Sequence, residues 1–241
     1  MALFNRYFRL FLFSVGIHLC SPATAEGLFD WQRSNIQFSR GYTFELGPDQ
    51  RSILTFEHAD GYRYGDNYLF YDYTTTTESY YAEWRTRLSL SKLSGRKVSF
   101  GAVEDLLIAA QFEFPDGLDN RESIGLGIAW NIPGFERVGT NVMSRDDPRF
   151  SGRAALVVLN WATKMNWGAP VHFEGFCDFQ GSEGNRGGWV LCQPRLLLDA
   201  GYFSGTDGKF FVGAEYQYWS DKFGAGITNE HVIQGQLKFV F

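Results

Sequence analysis

Along most of the chain the apolar residues fall on alternate positions. Ile124, Leu126, Ile128, Trp130 and Ile132 share one parity, while Gly125, Gly127, Ala129 and Asn131 hold the other. Successive side chains of a strand point to opposite faces, so this segment has one oily face and one small or polar face. Tyr80, Ala82, Trp84, Thr86, Leu88 and Leu90 alternate in the same way with Tyr81, Glu83, Arg85, Arg87 and Ser89. Leu106, Ile108, Ala110, Phe112 and Phe114 oppose Asp105, Gln111 and Glu113, and Phe210, Val212, Ala214, Tyr216 and Tyr218 oppose Gly213, Glu215 and Gln217. Ile36, Phe38, Tyr42, Phe44 and Leu46 oppose Gln37, Ser39, Thr43 and Glu45, with Arg40 breaking the apolar side. No stripe with the helical period is evident.

Turn signals separate the runs: Gly47-Pro48-Asp49, Asp60-Gly61, Pro115-Asp116-Gly117, Pro133-Gly134 and Gly205-Thr206-Asp207-Gly208. The pattern predicts about twelve strands, near 34–46, 51–59, 67–73, 79–90, 98–114, 123–132, 137–145, 150–163, 170–179, 188–200, 208–219 and 230–241.

Residues 1–25 stand apart from this pattern and read as a signal peptide. Arg6 and Arg9 precede the apolar run Leu10 to Ile17, and Ala23-Thr24-Ala25 presents the small residues of a cleavage site. Cys20 follows His18 and Leu19 rather than the small residues of a lipobox. Removing two arginines from a chain of net charge −5 leaves −7 for residues 26–241, the expected barrel domain. A surface that binds nucleic acid through overall basicity is therefore not expected.

Composition chooses among exported β proteins. Aromatic residues make up 17% of the chain, with 23 Phe, 12 Tyr and 7 Trp. Past residue 25 no apolar run approaches the ~20 residues of a spanning helix. Mean hydropathy is only −0.22, which is compatible with a membrane protein made of strands. A soluble sandwich would alternate too, but Gly125, Gly127 and Ala129 would be poor cover on a wet face. Trp31, Tyr80, Trp84, Trp130, Trp161, Tyr218 and Trp219 gather toward strand ends, as interfacial girdles do in transmembrane barrels. The last segment, Leu237 to Phe241, alternates and ends on Phe, like the signal read by the outer-membrane barrel assembly machinery. The predicted fold is an all-β transmembrane antiparallel barrel in the outer membrane of a Gram-negative cell, facing the lipid bilayer. With the terminal Phe241 on the periplasmic side, twelve strands would place the start of the barrel domain there too. The external loops then lie near 47–50, 74–78, 115–122, 146–149, 180–187 and 220–229, and none is long enough for a large plug.

A twelve-stranded barrel is wider than one that side chains alone fill and narrower than a sixteen-stranded porin. Its lining should include Glu83, Arg85, Arg87, Asp105, Gln111, Glu113, Glu215 and Gln217, the candidate substrate-binding residues. Each fits a structural network across the wall; as a set they describe a polar lumen that passes small polar solutes. The block Arg87-Leu88-Ser89-Leu90-Ser91-Lys92-Leu93 followed by Val98-Ser99-Phe100-Gly101 resembles a strand-turn-strand of the Tsx-like nucleoside-specific channel family. Tyr68 to Tyr73 and Phe44 to Pro48 are similar to it in character and order. The resemblance implies a twelve-stranded outer-membrane channel for nucleosides, with aromatic and polar lumen residues; some members of that family serve as phage receptors. The external loops here are shorter than in that family.

The rival readings are a surface receptor or adhesin on the same barrel, and a barrel lipase. The lipase needs a His-Ser pair near the outer interface. His58, His172 and His231 have no such local partner and read as interfacial residues, and no catalytic, metal or cofactor site is expected. Cys177 and Cys192 share the outward parity almost symmetrically about the loop 181–188. A disulfide and two lipid-facing thiols are equally compatible with that placement.

Overall fold

The computed structural model of the protein describes residues 28–226 and 228–241. The expected signal peptide, 1–25, lies outside the described residues. Twelve strands form one closed antiparallel barrel in which each strand pairs with its sequence neighbours and β1 pairs with β12. They are β1 (Trp31–Gly41), β2 (Arg51–Tyr62), β3 (Gly65–Thr74), β4 (Ser79–Ser89), β5 (Val103–Pro115), β6 (Arg121–Trp130), β7 (Arg137–Asp146), β8 (Ala154–Asn166), β9 (Pro170–Gln180), β10 (Trp189–Asp199), β11 (Phe210–Ser220) and β12 (Glu230–Val240). The shortest has 10 residues and the longest 13, and a tilted strand of ~9–11 residues crosses a bilayer. The seam runs from Asn35 opposite Val240 to Gly41 opposite Gln234, so the barrel has no free edge.

The period of two sorts the side chains between two solvents. Ile36, Phe38, Leu54, Ile108, Leu126, Val212, Ile233 and Phe239 lie exposed on the outside. Residues of the opposite parity, including Gln37, Glu57, Gln111, Gln234 and Gln236, are buried inside. A soluble protein rarely shows so large an apolar surface, whereas a bilayer requires one. Apolar side chains inside the wall form two clusters: Ala109, Met143, Leu156 and Val158 on β5 to β8, and Leu197, Phe211 and Val240 on β10 to β12. Gly127 leaves the space that Leu107 and Asn141 occupy, since a Cβ there would lie 3.2 Å from the Leu107 side chain and 2.8 Å from Asn141 Oδ1.

Most strands begin and end within a few residues of the positions the alternation predicts. Two ends differ for local reasons. β1 stops at Gly41 rather than running to 46: Thr43 has a positive φ of 68°, and Phe44 turns inward to 4% exposure beneath the guanidinium of Arg51, 4.5 Å from its ring centroid. Phe44 and Leu46 therefore do not continue the lipid face. The segment expected to open β5 at 98 is a turn instead. A short helix, α1 (Leu90–Ser94), is capped by the Ser89 hydroxyl, which accepts from the Lys92 N–H, and closes on Gly95 in the left-handed region. The block that resembles a strand-turn-strand is thus a strand, a helical turn and a loop, with β5 beginning only at Val103.

Two aromatic expectations also change. Trp84 sits in the middle of β4 on the outer face, stacked on Phe112 at 5.5 Å. Trp219 faces inward at the end away from Phe241, against Trp189 at 5.8 Å and Phe223 at 4.7 Å.

Because Leu126 is 66% exposed in the middle of β6, Leu126→Arg should cost ~2–4 kcal/mol in lipid vesicles. Denaturant titration of the vesicle-inserted protein measures this; a loss within ~0.5 kcal/mol would mean that this face does not meet lipid.

Candidate solute-binding site in the lumen

The barrel interior is a stack of charge networks with a cavity at one end. The cavity holds about 350 Å³ and opens at the end that carries Trp31, Arg33, Glu136 and Arg137. Phe241 marks that end, its N–H donating to the Ser34 carbonyl at 3.0 Å. The cavity reaches inward as far as Glu57, Tyr68, Arg85, Phe176 and Arg195. Cross-strand register puts these groups together: Tyr68 faces Arg85 across β3 and β4, and Glu174 faces Arg195 across β9 and β10.

The deep wall is held by charge-assisted hydrogen bonds. Arg195 Nη1 donates to Glu57 Oε1 at 2.8 Å, and its Nε donates to Glu215 Oε2 at 2.6 Å. Glu57 also accepts from Tyr68 OH and from Asn35 Nδ2, each at 3.0 Å. On the other wall Arg85 pairs with Glu83 at 2.7 Å and lies 3.5 Å from Asp178. The Arg85 guanidinium lies 5.6 Å from the Phe176 ring centroid. Lys238 from the closing strand pairs with Glu174. Charges taken out of water are tolerable only with partners of this quality.

Of the eight lumen residues that parity selects, Arg85 and Arg87 line the cavity. Arg87 is fixed by two bonds to Asp66 at 2.8 and 2.9 Å. Glu83 and Glu215 stand behind the wall as the partners of Arg85 and Arg195. Gln111 is buried opposite Arg85 on one side and Ser123 on the other. Gln217 accepts from Gln193 at 2.8 Å and donates to Glu230. Asp105 serves the α1 turn: it accepts from the Ser89 and Ser91 hydroxyls and from the Leu106 N–H.

Glu113 belongs to a second network at the opposite end. Arg145 grips it with bonds of 2.7 and 2.9 Å, and Arg121 adds one of 3.0 Å. Arg145 reaches on to Glu183 in the β9–β10 loop at 3.2 Å. Asp147, just past β7, collects Arg149 at 2.7 Å, Arg121 at 3.1 Å and Arg186 at 3.5 Å. Lys222 pairs with Glu230 at 2.6 Å, and Glu230 also accepts from the Glu45 N–H at 2.9 Å. The short loops of this end are thus laced to the strand ends. Above them is an open vestibule of about 450 Å³ bordered by Arg121, Arg149, Phe150, Arg186 and Phe223.

Parity reasoning had missed Glu57, Tyr68, Glu174, Phe176 and Arg195. Thr55 and Glu57 in β2, and Gln193 and Arg195 in β10, alternate with apolar neighbours. The signal is present in these two strands.

The histidines do not share one environment. His172 lines the cavity and meets the Phe211 ring edge-on at 4.9 Å, so it faces inward rather than to an interface. His231 bonds Tyr216 OH through Nδ1 at 2.7 Å. His58 Nδ1 meets the Ser34 hydroxyl at 2.8 Å, with Asp60 3.4 Å from Nε2. That Ser-His pair lies on the outer face at the Phe241 end. Cys177 and Cys192 are directly opposed across β9 and β10, with Cα atoms 4.1 Å apart and the sulfurs bonded.

Comparison with known proteins agrees with this architecture. No family model matches the chain. An outer membrane protein OmpK from Vibrio parahaemolyticus serotype O3:K6 (strain RIMD 2210633) is 26% identical over 112 residues, 42% of this chain and 42% of that protein. A second OmpK from Vibrio parahaemolyticus is 24% identical over 108 residues, 43% of this chain and 41% of its own length. The chain spans about two fifths of the length of the curated relatives it matches. Among solved structures, the KdgM porin in complex with disordered oligogalacturonate superposes with a TM-score of 0.53 at 10% identity, covering 86% of this chain and 99% of that one. The protein is an outer-membrane β-barrel with a porin-like fold.

Two outcomes follow from the geometry. Burial raises the Asp147 carboxyl, but the Arg149 hydrogen bonds and the Arg121 charge outweigh it and hold the group at about 2, below its ordinary 3.8. Its contribution to stability is present above 3.8 and lost as pH falls through 3.8 toward about 2. Asp147→Asn should therefore flatten the melting-temperature profile over that window; an unchanged profile would contradict the clamp. Thiol alkylation before reduction should modify neither Cys177 nor Cys192, and after reduction both; prompt labelling of the unreduced protein would exclude the bond.

Proposed function

We propose that the protein is a passive outer-membrane channel for small polar solutes, with nucleosides as its solute class. The observation that supports it best is the lumen cavity of about 350 Å³, within the ~300–1,000 Å³ range of small-molecule sites. Its deep end combines two ring faces, Tyr68 and Phe176, with the charged groups of Arg85, Glu57 and Arg195. A base can stack on the rings while a ribose exchanges hydrogen bonds with the charged groups. Weak contacts at several depths let a solute enter and leave, which is what conduction requires. The networks hold these side chains in place, so selectivity costs no ordering at the moment of binding.

In this reading residues 1–25 direct export, and the barrel assembly machinery receives β12 with the Phe241 that follows it. The Phe241 end is then periplasmic, so the cavity opens to the periplasm and the arginine vestibule faces outward.

Planar-bilayer recording tests the reading. The purified protein should conduct ions, and uridine or adenosine should reduce the current. Tyr68→Ala should weaken that block about fivefold or more, since base–aromatic stacking is worth ~1–3 kcal/mol. Conductance that nucleosides leave untouched would remove the specificity, and a silent bilayer would remove the channel.

A further inference from the structure

The charges presented to a solute do not follow the charge of the chain. The full sequence carries a formal −5, and an acidic channel would by that measure favour cations. Six cationic side chains and four carboxylates line the cavity at the Phe241 end. Three of those carboxylates are paired with three of the cations, Glu57 with Arg195 at 2.8 Å, Glu174 with Lys238 and Asp66 with Arg87 at 2.8 Å, and Arg85 is held by Glu83 and Asp178 behind the wall. Among the described residues Arg33 and Arg137, both exposed at the opening, make no ion pair, and only Glu136 stands beside them unpaired.

The vestibule at the other end repeats the imbalance independently. Arg121, Arg149 and Arg186 border it and no carboxylate does. Asp147, Glu113 and Glu183 lie beneath, with the carboxylate oxygens turned to the guanidiniums that cover them. Counting Arg145, four arginines meet three carboxylates there. The surplus stands on the solute's side. A positively lined opening with low-dielectric walls concentrates anions, and the effect is strongest at low ionic strength, where screening is weakest.

We propose that both mouths of the lumen select for anions, so that the channel passes small carboxylate or phosphate-bearing solutes ahead of cations, with Arg33 and Arg137 as specificity-determining residues. This rests on the reading of the protein as a channel for small polar solutes and narrows that class to anions, which a plain nucleoside is not. A nucleoside carrying a phosphate would satisfy both the ring faces and the guanidiniums.

The test is the zero-current potential of the purified full chain in a planar bilayer under a tenfold KCl gradient. The expected sign is that of chloride permeating ahead of potassium, fading when both solutions are made more concentrated at the same ratio. Replacing Arg33→Glu together with Arg137→Glu changes the cavity lining from six cations against four carboxylates to four against six, and should move the potential to the potassium side. Both side chains are exposed and outside the networks, so the fold is retained; Arg149→Glu tests the vestibule by the same readout. Conductance in the unaltered protein with no preference, or with preference for potassium, overturns the proposal and leaves the channel standing. No conductance overturns both.

Discussion

A strand crossing hydrocarbon has no water to satisfy its N–H and C=O groups, and each one left unpaired costs several kcal/mol. Everything else in this molecule depends on removing that cost by joining β1 to β12. Once the seam from Asn35 to Val240 is made, every strand has two neighbours and the backbone is satisfied without solvent. Closure fixes an inside and an outside, and the period of two assigns residues to them. Register is then pinned, because a slip of one position would put Gln37 and Glu57 into lipid and Ile36 and Phe56 into the lumen.

Closure also makes the inner wall a dense field of charge. Arg85, Arg145 and Arg195 could not stay charged there alone, and each is met by at least two carboxylates from other positions in the barrel. These pairs brace the wall and decide which guanidinium faces remain for a solute. The two roles compete for the same side chains. Glu83, Glu113 and Glu215 are spent on bracing, whereas Arg33 and Arg137 lie beyond the networks at the cavity opening.

Much of the barrel was legible along the chain because strand alternation is local. Ile124 to Ile132 predicts an oily outer face for β6, and Leu126 is indeed exposed there. The expectation failed where a single backbone torsion or cap intervened. Thr43 ends β1 early through its positive φ, and the Ser89 hydroxyl draws residues 90–94 into a helical turn. Neither event disturbs the apolar alternation that continues past it, so the pattern alone ran each strand too far. Trp219 shows a related failure: its position near a strand end suits an interface, but its parity with Glu215 and Gln217 directs it inward.

The sequence by itself determined the strand count and, along most strands, which side chains face in and which face out, because these depend on neighbours one or two positions away. It did not determine which charges meet. Arg195 and Glu57 are 138 positions apart, and Lys238 and Glu174 are 64 apart. Such pairs form only after the barrel closes and brings distant strands across one lumen. Only the tertiary structure could decide which lumen side chains brace the wall and which line the cavity, since a charge is spent or free according to its neighbours in space.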